Sequence, residues 1–113
     1  MYDLLNDFKA LLLTADPQIT HYFGLNENDS WHPYSVWTEY ELDPLIGGGD
    51  YTEPKWRVLV ERYTKDENDA IVVAIMNLLK SAPGVVFEYS LRRNQELRML
   101  YHAWDCEVIS GTL

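Results

Sequence analysis

The sequence predicts a single α+β domain in which an antiparallel sheet of four to five strands carries two helices on one face. Two segments repeat their apolar residues with helical spacing, and several others alternate apolar and polar residues as strands do. The chain has 113 residues, the usual size of one domain, and 47% of them are hydrophobic, which suffices for one core. The predicted element order is α-(β)-β-β-α-β-β, and residues 1–113 form one domain.

The first helix is predicted over residues 3–14, because its apolar side chains would share one face: Leu4, Leu5, Phe8, Leu11 and Leu12. Asp3 is suited to cap the start of this helix, and the Asp16-Pro17 pair ends it. The following residues, 15–32, are predicted to be irregular apart from a short edge strand over residues 19–23.

Residues 34–40 and 55–63 are predicted to be strands, since both are rich in β-branched and aromatic residues that alternate between two faces. We expect both helices to cover one face of the sheet. The other face is then expected to carry side chains of mixed polarity, among them Trp37, Leu59 and Tyr63. A sheet face that is neither clearly polar nor covered invites a partner.

Between these strands, residues 41–54 are predicted to form a long loop. Three consecutive glycines (residues 47–49) make it flexible, and its charged residues are all acidic: Glu41, Asp43, Asp50 and Glu53. The glycines do not form a phosphate-binding loop, because the GxxxxGK[ST] pattern and a following helix are absent. A long acidic loop in a small domain is more often functional than a plain connector.

The second helix is predicted to begin at Asp66, with Asp69 at its third position and an apolar stripe formed by Ile71, Ala74, Ile75, Leu78 and Leu79. Residues 85–91 and 99–109 are the last two predicted strands. Residues 92–98 between them are predicted to be a polar hairpin loop with a basic cluster: Arg92, Arg93 and Arg98. This cluster either solubilises the hairpin tip or binds an acidic neighbour, such as the 41–54 loop of another copy.

Charge and composition disfavour several classes of function. The formal net charge is −9, whereas proteins that bind nucleic acid or anionic lipid need a basic surface. The single cysteine, Cys106, forms no internal disulfide, which fits a reducing compartment. The N-terminal segment lacks the pattern of a signal peptide, and no apolar run reaches the length that spans a bilayer. We therefore expect a protein that assembles in the cytoplasm.

The spacing of reactive side chains predicts no catalytic, cofactor-binding or metal site. His102 and Cys106 are four residues apart on a predicted strand, roughly 13 Å, too far to share a metal ion or to act as a nucleophile pair. Asp105 and Glu107 share a strand face, where acidic side chains are more often solvated than paired for catalysis. Eight tyrosines and four tryptophans exceed what so small a core encloses, so some are expected at an interface.

In pattern and order, nearly the whole chain resembles the tail completion proteins, or tail terminators, of long-tailed bacteriophages. The resemblance lies in a first helix followed by a variable loop, and in a strand that starts with Pro33-Tyr34. It continues in a strand that runs into a helix, over residues 56–66 and 70–79, and in a closing strand over residues 101–108. The basic residues 92–98 match no motif of that family.

The resemblance implies a structural protein with no enzymatic activity and no cofactor. Such proteins form a ring, usually hexameric, that caps the finished tail tube and then meets the head connector. The implied partners are therefore other copies of the chain, the major tail tube protein and the head connector protein. DNA would pass through the lumen of the ring without specific binding, and no membrane would be involved. The protein would be part of the virion tail or neck after assembly in the bacterial cytoplasm.

By this hypothesis, the 41–54 loop faces the lumen or the tail tube. The contact between copies is expected to draw on Trp37, Leu59, Tyr63 and the 92–98 hairpin.

Three alternatives stay open from the sequence. The chain would also suit a head-completion or neck protein, which occupies a different position in the same assembly. An acidic inhibitor that mimics DNA and blocks a host enzyme would need its acidic residues on one continuous face. A small enzyme or ligand-binding dimer would need a pocket with converging polar groups.

Overall fold

The structure is a computed structural model, which describes residues 5–21, 33–43, 46–47, 50–51, 55–96 and 98–109. In chain order the elements are α1 (Asn6–Ala15), β1 (Thr20–His21), β2 (Tyr34–Asp43), β3 (Ile46–Gly47), β4 (Asp50–Tyr51), β5 (Lys55–Thr64), α2 (Ala70–Ser81), β6 (Val85–Asn94) and β7 (Met99–Ile109). Five strands form one sheet in the order β1-β2-β5-β7-β6, and β3 pairs with β4 separately. The predicted α+β class, with two helices and up to five sheet strands, is confirmed.

The main sheet is mixed rather than wholly antiparallel. The pairs β2–β5, β5–β7 and β7–β6 are antiparallel, as predicted, but β1 runs parallel to β2. Parallel neighbours need a crossover of about a dozen residues, and the segment between His21 and Tyr34 has that length. The described part of the predicted 19–23 strand is only Thr20–His21, since residues 22–32 lie outside the described ranges.

The predicted loop over residues 41–54 is partly β-strand. Glu41 to Asp43 continue β2 beyond a β-bulge between Glu39 and Glu41, and they pair with the start of β5. An ion pair supports this continuation, because Glu41 of β2 lies opposite Arg57 of β5, 3.7 Å from its guanidinium. Further along, β3 and β4 form a short antiparallel pair.

Helix α2 begins at Ala70, later than predicted, because Asp69 rather than Asp66 is its N-cap. The Oδ1 atom of Asp69 accepts a hydrogen bond of 2.9 Å from the backbone N–H of Ile71, which satisfies one of the free amides of the first turn. Asp66 instead accepts a hydrogen bond from the backbone N–H of Asn68 at 2.8 Å, in the turn before the helix.

The core lies between the two helices and one face of the sheet. Alternate residues of β5 and β7 point into it, and β5 alternates without interruption between half-buried and buried positions. The side chains buried in the core include Phe8 and Leu12 of α1, Trp56, Val58 and Val60 of β5, Ile75 and Leu79 of α2, and Trp104, Cys106 and Val108 of β7.

Trp37 belongs to this core, so the prediction that it lies on the uncovered sheet face with Leu59 and Tyr63 is wrong. Its side chain is 2% exposed. Trp37 lies directly opposite Val60, and residues opposite each other on neighbouring strands point to the same face. Phe8 meets the Trp37 ring edge-on at 6.3 Å, and the His21 ring stacks on it at 4.0 Å.

Candidate interaction surface

The sheet face opposite the core is covered by neither helix, and we call it the open face. It carries every second side chain of the four long strands. Its residues include Tyr34, Val36, Thr38 and Glu41 of β2, Lys55, Arg57, Leu59, Glu61 and Tyr63 of β5, Tyr101, Ala103, Asp105 and Glu107 of β7, and Val86, Glu88, Ser90 and Arg92 of β6. Leu59 and Tyr63 therefore lie where the sequence predicted them, and both are half-buried.

Three tyrosines from adjacent strands form a row across the open face. Tyr63 lies opposite both Tyr34 and Tyr101, with ring centroids 4.8 and 4.9 Å apart. The Tyr63 and Tyr101 hydroxyls both donate to Oε2 of Glu61, at 3.2 and 2.5 Å. Burial and the neighbouring Glu61 carboxylate raise the pKa of both tyrosines, so these hydroxyls stay neutral donors. Ring contacts and the two hydrogen bonds to Glu61 therefore hold the row together.

Beyond the tyrosine row, the open face carries charges of both signs. The Arg57 guanidinium lies between two carboxylates, 3.7 Å from Glu41 and 3.5 Å from Glu107. The Tyr40 hydroxyl donates to Asp105 at 2.6 Å, and this hydrogen bond raises the pKa of Tyr40. Such half-exposed pairs contribute little to folding stability. They give a partner a defined pattern of charge to match.

Two open depressions lie on this face. One of about 290 Å³ lies against Leu59, Tyr101 and Ala103, and another of about 350 Å³ lies beside Arg57 and Glu107. Their walls are neighbouring side chains of one sheet. Depressions of this shape suit side chains of a protein partner better than they enclose a small molecule.

The three arginines that the sequence grouped in one hairpin loop do not form one cluster. Arg92 and Arg93 belong to β6, and consecutive strand residues point to opposite faces. Arg92 lies opposite Tyr101, where it extends the tyrosine row to the outer strand. Arg93 faces the helical side and meets Glu67 at 3.3 Å. Arg98 lies in the turn, with a positive φ of 52°.

The four acidic residues of the predicted lumen-facing loop are described only in part. Glu41 lies in β2 and pairs with Arg57, as given above. Asp43 ends β2 and Asp50 begins β4, and the positions of their side chains lie outside the described part. Glu53 lies outside the described residues altogether.

Sequence reasoning missed a buried ionic cluster that joins both helices to the sheet. Arg62 donates from Nε to Asp69 at 2.9 Å and from one terminal nitrogen to Ser35 at 3.1 Å and Asp16 at 3.4 Å. Asp16 follows the end of α1, and Asp69 caps α2. Burial opposes ionisation of Asp69, but the hydrogen bonds from Ile71 and Arg62 keep its pKa below the usual value. One sequence feature could have predicted this cluster: the alternation of β5 places the charged Arg62 on the same face as the buried Val58 and Val60.

The reactive side chains of the core are occupied by structural contacts. Cys106 is fully buried, and its burial, with the nearby Asp105, raises the thiol pKa to about 12. The Nδ1 atom of His102 lies 2.6 Å from the Tyr89 hydroxyl, while its Nε2 is buried without a hydrogen-bond partner among the described residues. Burial lowers the pKa of His102, which favours the neutral ring, and the hydrogen bond to Tyr89 holds that ring in place.

Metal-binding clusters and membrane-spanning helices are absent from the ranges that the structure describes. In these ranges, no group of three or more His, Cys, Asp and Glu side chains is placed to hold a metal ion. No helix in those same ranges is long and apolar enough to cross a membrane.

Comparison with known proteins adds no assignment. No protein-family model matches the chain, and no curated protein has a significantly similar sequence. The resemblance to tail completion proteins therefore stays a hypothesis.

Proposed function

We propose that the chain is a structural subunit that assembles with copies of itself into a ring, of the type that completes the tail of long-tailed bacteriophages. In this role the ring caps the tail tube and joins it to the head connector. The observation that carries the proposal is the open face. It is a sheet surface covered by neither helix, on which the row Tyr34, Tyr63 and Tyr101 is fixed in place beside the half-buried Leu59.

Fixed aromatic side chains favour a protein contact for two reasons. Tyrosine combines a large apolar ring with a polar end, and it is enriched in protein interfaces. Rings already stacked on one another, as in the row from Tyr34 to Tyr101, lose little conformational entropy when a partner binds. If the open face of one copy binds a different surface of the next, the contact is heterologous and closes into a ring when the rotation permits.

The acidic balance is compatible with a channel that DNA crosses. A net charge of −9 repels the phosphate backbone, so DNA would slide through the lumen instead of binding to it. In the proposed ring, Glu41, Asp43, Asp50 and Glu53 face the lumen or the tail tube. A non-enzymatic role is proposed because Cys106 and His102 serve core packing, and Glu61 is engaged by two tyrosines.

The open face can be tested with a matched pair of substitutions. Leu59→Arg places a charge at the centre of the open face, and Val73→Arg places the same charge on the exposed side of α2, away from it. Light scattering would give the mass in solution, in multiples of the 13.2 kDa chain, and electron microscopy would show rings. If rings form only on tail tubes, co-sedimentation with isolated tubes replaces the mass measurement.

We expect Leu59→Arg to lose assembly because burying an unpaired charge at an interface opposes association. Val73→Arg should behave as the unmodified protein, and circular dichroism should show that both variants are folded. Normal assembly of a folded Leu59→Arg variant would contradict the proposed interface.

The DNA-mimic alternative is less well supported by the described surface. A mimic needs a continuous acidic face, but Arg57 and Lys55 lie among the acidic residues of the open face, both 3.5 Å from Glu107. The neck-protein alternative shares the same assembly and differs only in position. It is distinguished by locating the protein in assembled particles.

A further inference from the structure

Strand β6 is the outer strand of the sheet and differs from the other long strands in its exposure. It has ten residues, and within the described sheet it pairs only with β7. From residue 88 onward, its side chains are exposed on both faces, including the apolar Tyr89 and Leu91. A long outer strand of this kind is a template for pairing with another strand.

The direction of the free backbone groups follows from one hydrogen bond. The backbone N–H of Ile109 donates to the carbonyl of Gly84 at 3.0 Å, and the β6–β7 register continues without interruption from Val85 opposite Val108. In an antiparallel pair, every second residue exchanges such bonds with its neighbour strand. The backbone N–H and C=O groups of the even-numbered residues of β6 therefore point toward β7. The same groups of Phe87, Tyr89, Leu91 and Arg93 point away from the sheet.

The side chains of β6 complement those of a second, antiparallel β6 in one register. When Ser90 lies opposite Ser90 of the other copy, Glu88 lies opposite Arg92 twice, and Tyr89 lies opposite Leu91 twice. The outward backbone groups then also meet, since odd-numbered residues oppose odd-numbered residues. Opposite charges and aromatic–aliphatic pairs stabilise directly opposed positions.

Other antiparallel registers can also keep the helix-covered faces of the two sheets on the same side. None of the neighbouring ones places Glu88 opposite Arg92. Centring the pair on Tyr89 or Leu91 leaves Glu88 opposite a neutral residue. Centring it on Glu88 or Arg92 places like charges directly opposite each other, which is destabilising.

We propose that two copies of the chain join through β6 in this antiparallel register, with Ser90 on the two-fold axis, so that the two sheets become one. Such a contact closes with two copies and builds no ring by itself. It is therefore a second contact, made along the outer edge of β6, where the open face ends, and it is independent of the proposed function. A contact limited to one strand is smaller than the roughly 800 Å² per partner of ordinary stable complexes, so we expect a dimer that dissociates on dilution.

Charge reversal tests the register. Glu88→Arg and Arg92→Glu each replace two opposite-charge pairs by two like-charge pairs, and each should raise the dimer dissociation constant at least roughly tenfold. The double variant Glu88→Arg/Arg92→Glu restores opposite charges at the same positions and should recover dimerisation. Glu96→Arg is the matched control, because Glu96 lies in the exposed turn beyond β6. Sedimentation equilibrium over a dilution series gives each constant.

A second variant tests backbone pairing. Leu91→Pro removes an N–H that points away from β7, which an outer strand tolerates, and it should abolish the dimer while circular dichroism stays unchanged. These experiments use Leu59→Arg protein as the parent, so that association through the open face does not contribute. A parent protein that is monomeric at every concentration would overturn the proposal. So would charge reversals or a folded Leu91→Pro variant that leave dimerisation unchanged, or a double variant that fails to recover it.

Discussion

Replacing Arg62 by methionine should destabilise the fold strongly. The Arg62 side chain is 8% exposed, and those of the two aspartates that it binds, Asp16 and Asp69, are 6% and 8% exposed. Methionine fills much of the same volume but leaves both carboxylates buried without a positive charge, at positions where Arg62 lay 3.4 and 2.9 Å away. Breaking a buried pair by removing one partner costs about 3–5 kcal/mol.

That cost is a large part of the stability expected for a domain of this size, about 5–15 kcal/mol. Urea unfolding, followed by far-ultraviolet circular dichroism and tryptophan fluorescence, measures the loss directly. The midpoint should fall while the slope of the transition stays the same, since the surface exposed on unfolding hardly changes. Arg62→Met/Asp16→Asn/Asp69→Asn should recover part of the loss, because it removes the two unpaired charges.

Arg57→Met is the matched control. Arg57 also lies on β5 between two carboxylates, but its side chain is 34% exposed and faces the open side. Solvent screens such pairs, so its loss should cost no more than about 1 kcal/mol. If Arg62→Met and Arg57→Met destabilise the protein equally, Arg62 does not hold a buried ionic cluster.

Two further predictions concern titratable groups of the core. Burial, with Asp105 nearby, raises the thiol pKa of Cys106 to about 12. A thiol reagent should therefore fail to label the native protein at neutral pH but label it in denaturant. Rapid labelling of the folded protein would contradict this. Burial, reinforced by Arg62 and opposed by Asp69, lowers the pKa of His102 below 6.5 in the folded protein. His102 therefore binds a proton more readily in the unfolded protein. The stability that neutral His102 contributes should be complete above pH 6.5 and be lost as pH falls through its lower native pKa. Unfolding midpoints measured at several pH values should fall more steeply for the unmodified protein than for His102→Gln, and equal slopes would contradict the assignment.

Strand alternation was predictable from sequence, but the alignment of strands was not. The residues of β5 and β7 that point inward follow from their pattern, and the predicted bounds of the last strand, residues 99–109, are confirmed. In β2 the pattern separates Trp37 from Tyr34 without showing which of them faces the helices. That depends on the pairing of Trp37 with Val60, which is set by contacts distant in sequence.

The predicted start of α2 and the predicted end of β2 were wrong for a related reason. Asp66 and Asp69 are both suitable helix caps by residue type, and the choice of Asp69 is stabilised by its contact with Arg62 on β5. The extension of β2 through Glu41 depends on Arg57, which lies across the strand pair. Neither contact can be predicted from the conformational preferences of the residues around Asp69 or Glu41.

The candidate surface was predictable to a similar extent. Leu59 and Tyr63 were correctly placed on one face, because both belong to a single strand with a clear alternation. The tyrosine row was not predicted, since it joins three strands whose register is unknown from sequence. The supposed arginine cluster failed because β6 extends to Asn94 and turns Arg92 and Arg93 to opposite sides.

Electron microscopy of particles made by the genome that encodes this chain, with its gene deleted, tests the proposed tail-completion role most directly. The proposal predicts filled heads and tails that remain separate, with tails that are not capped at one uniform length. Full heads joined to tails of normal length in the absence of the chain would contradict it.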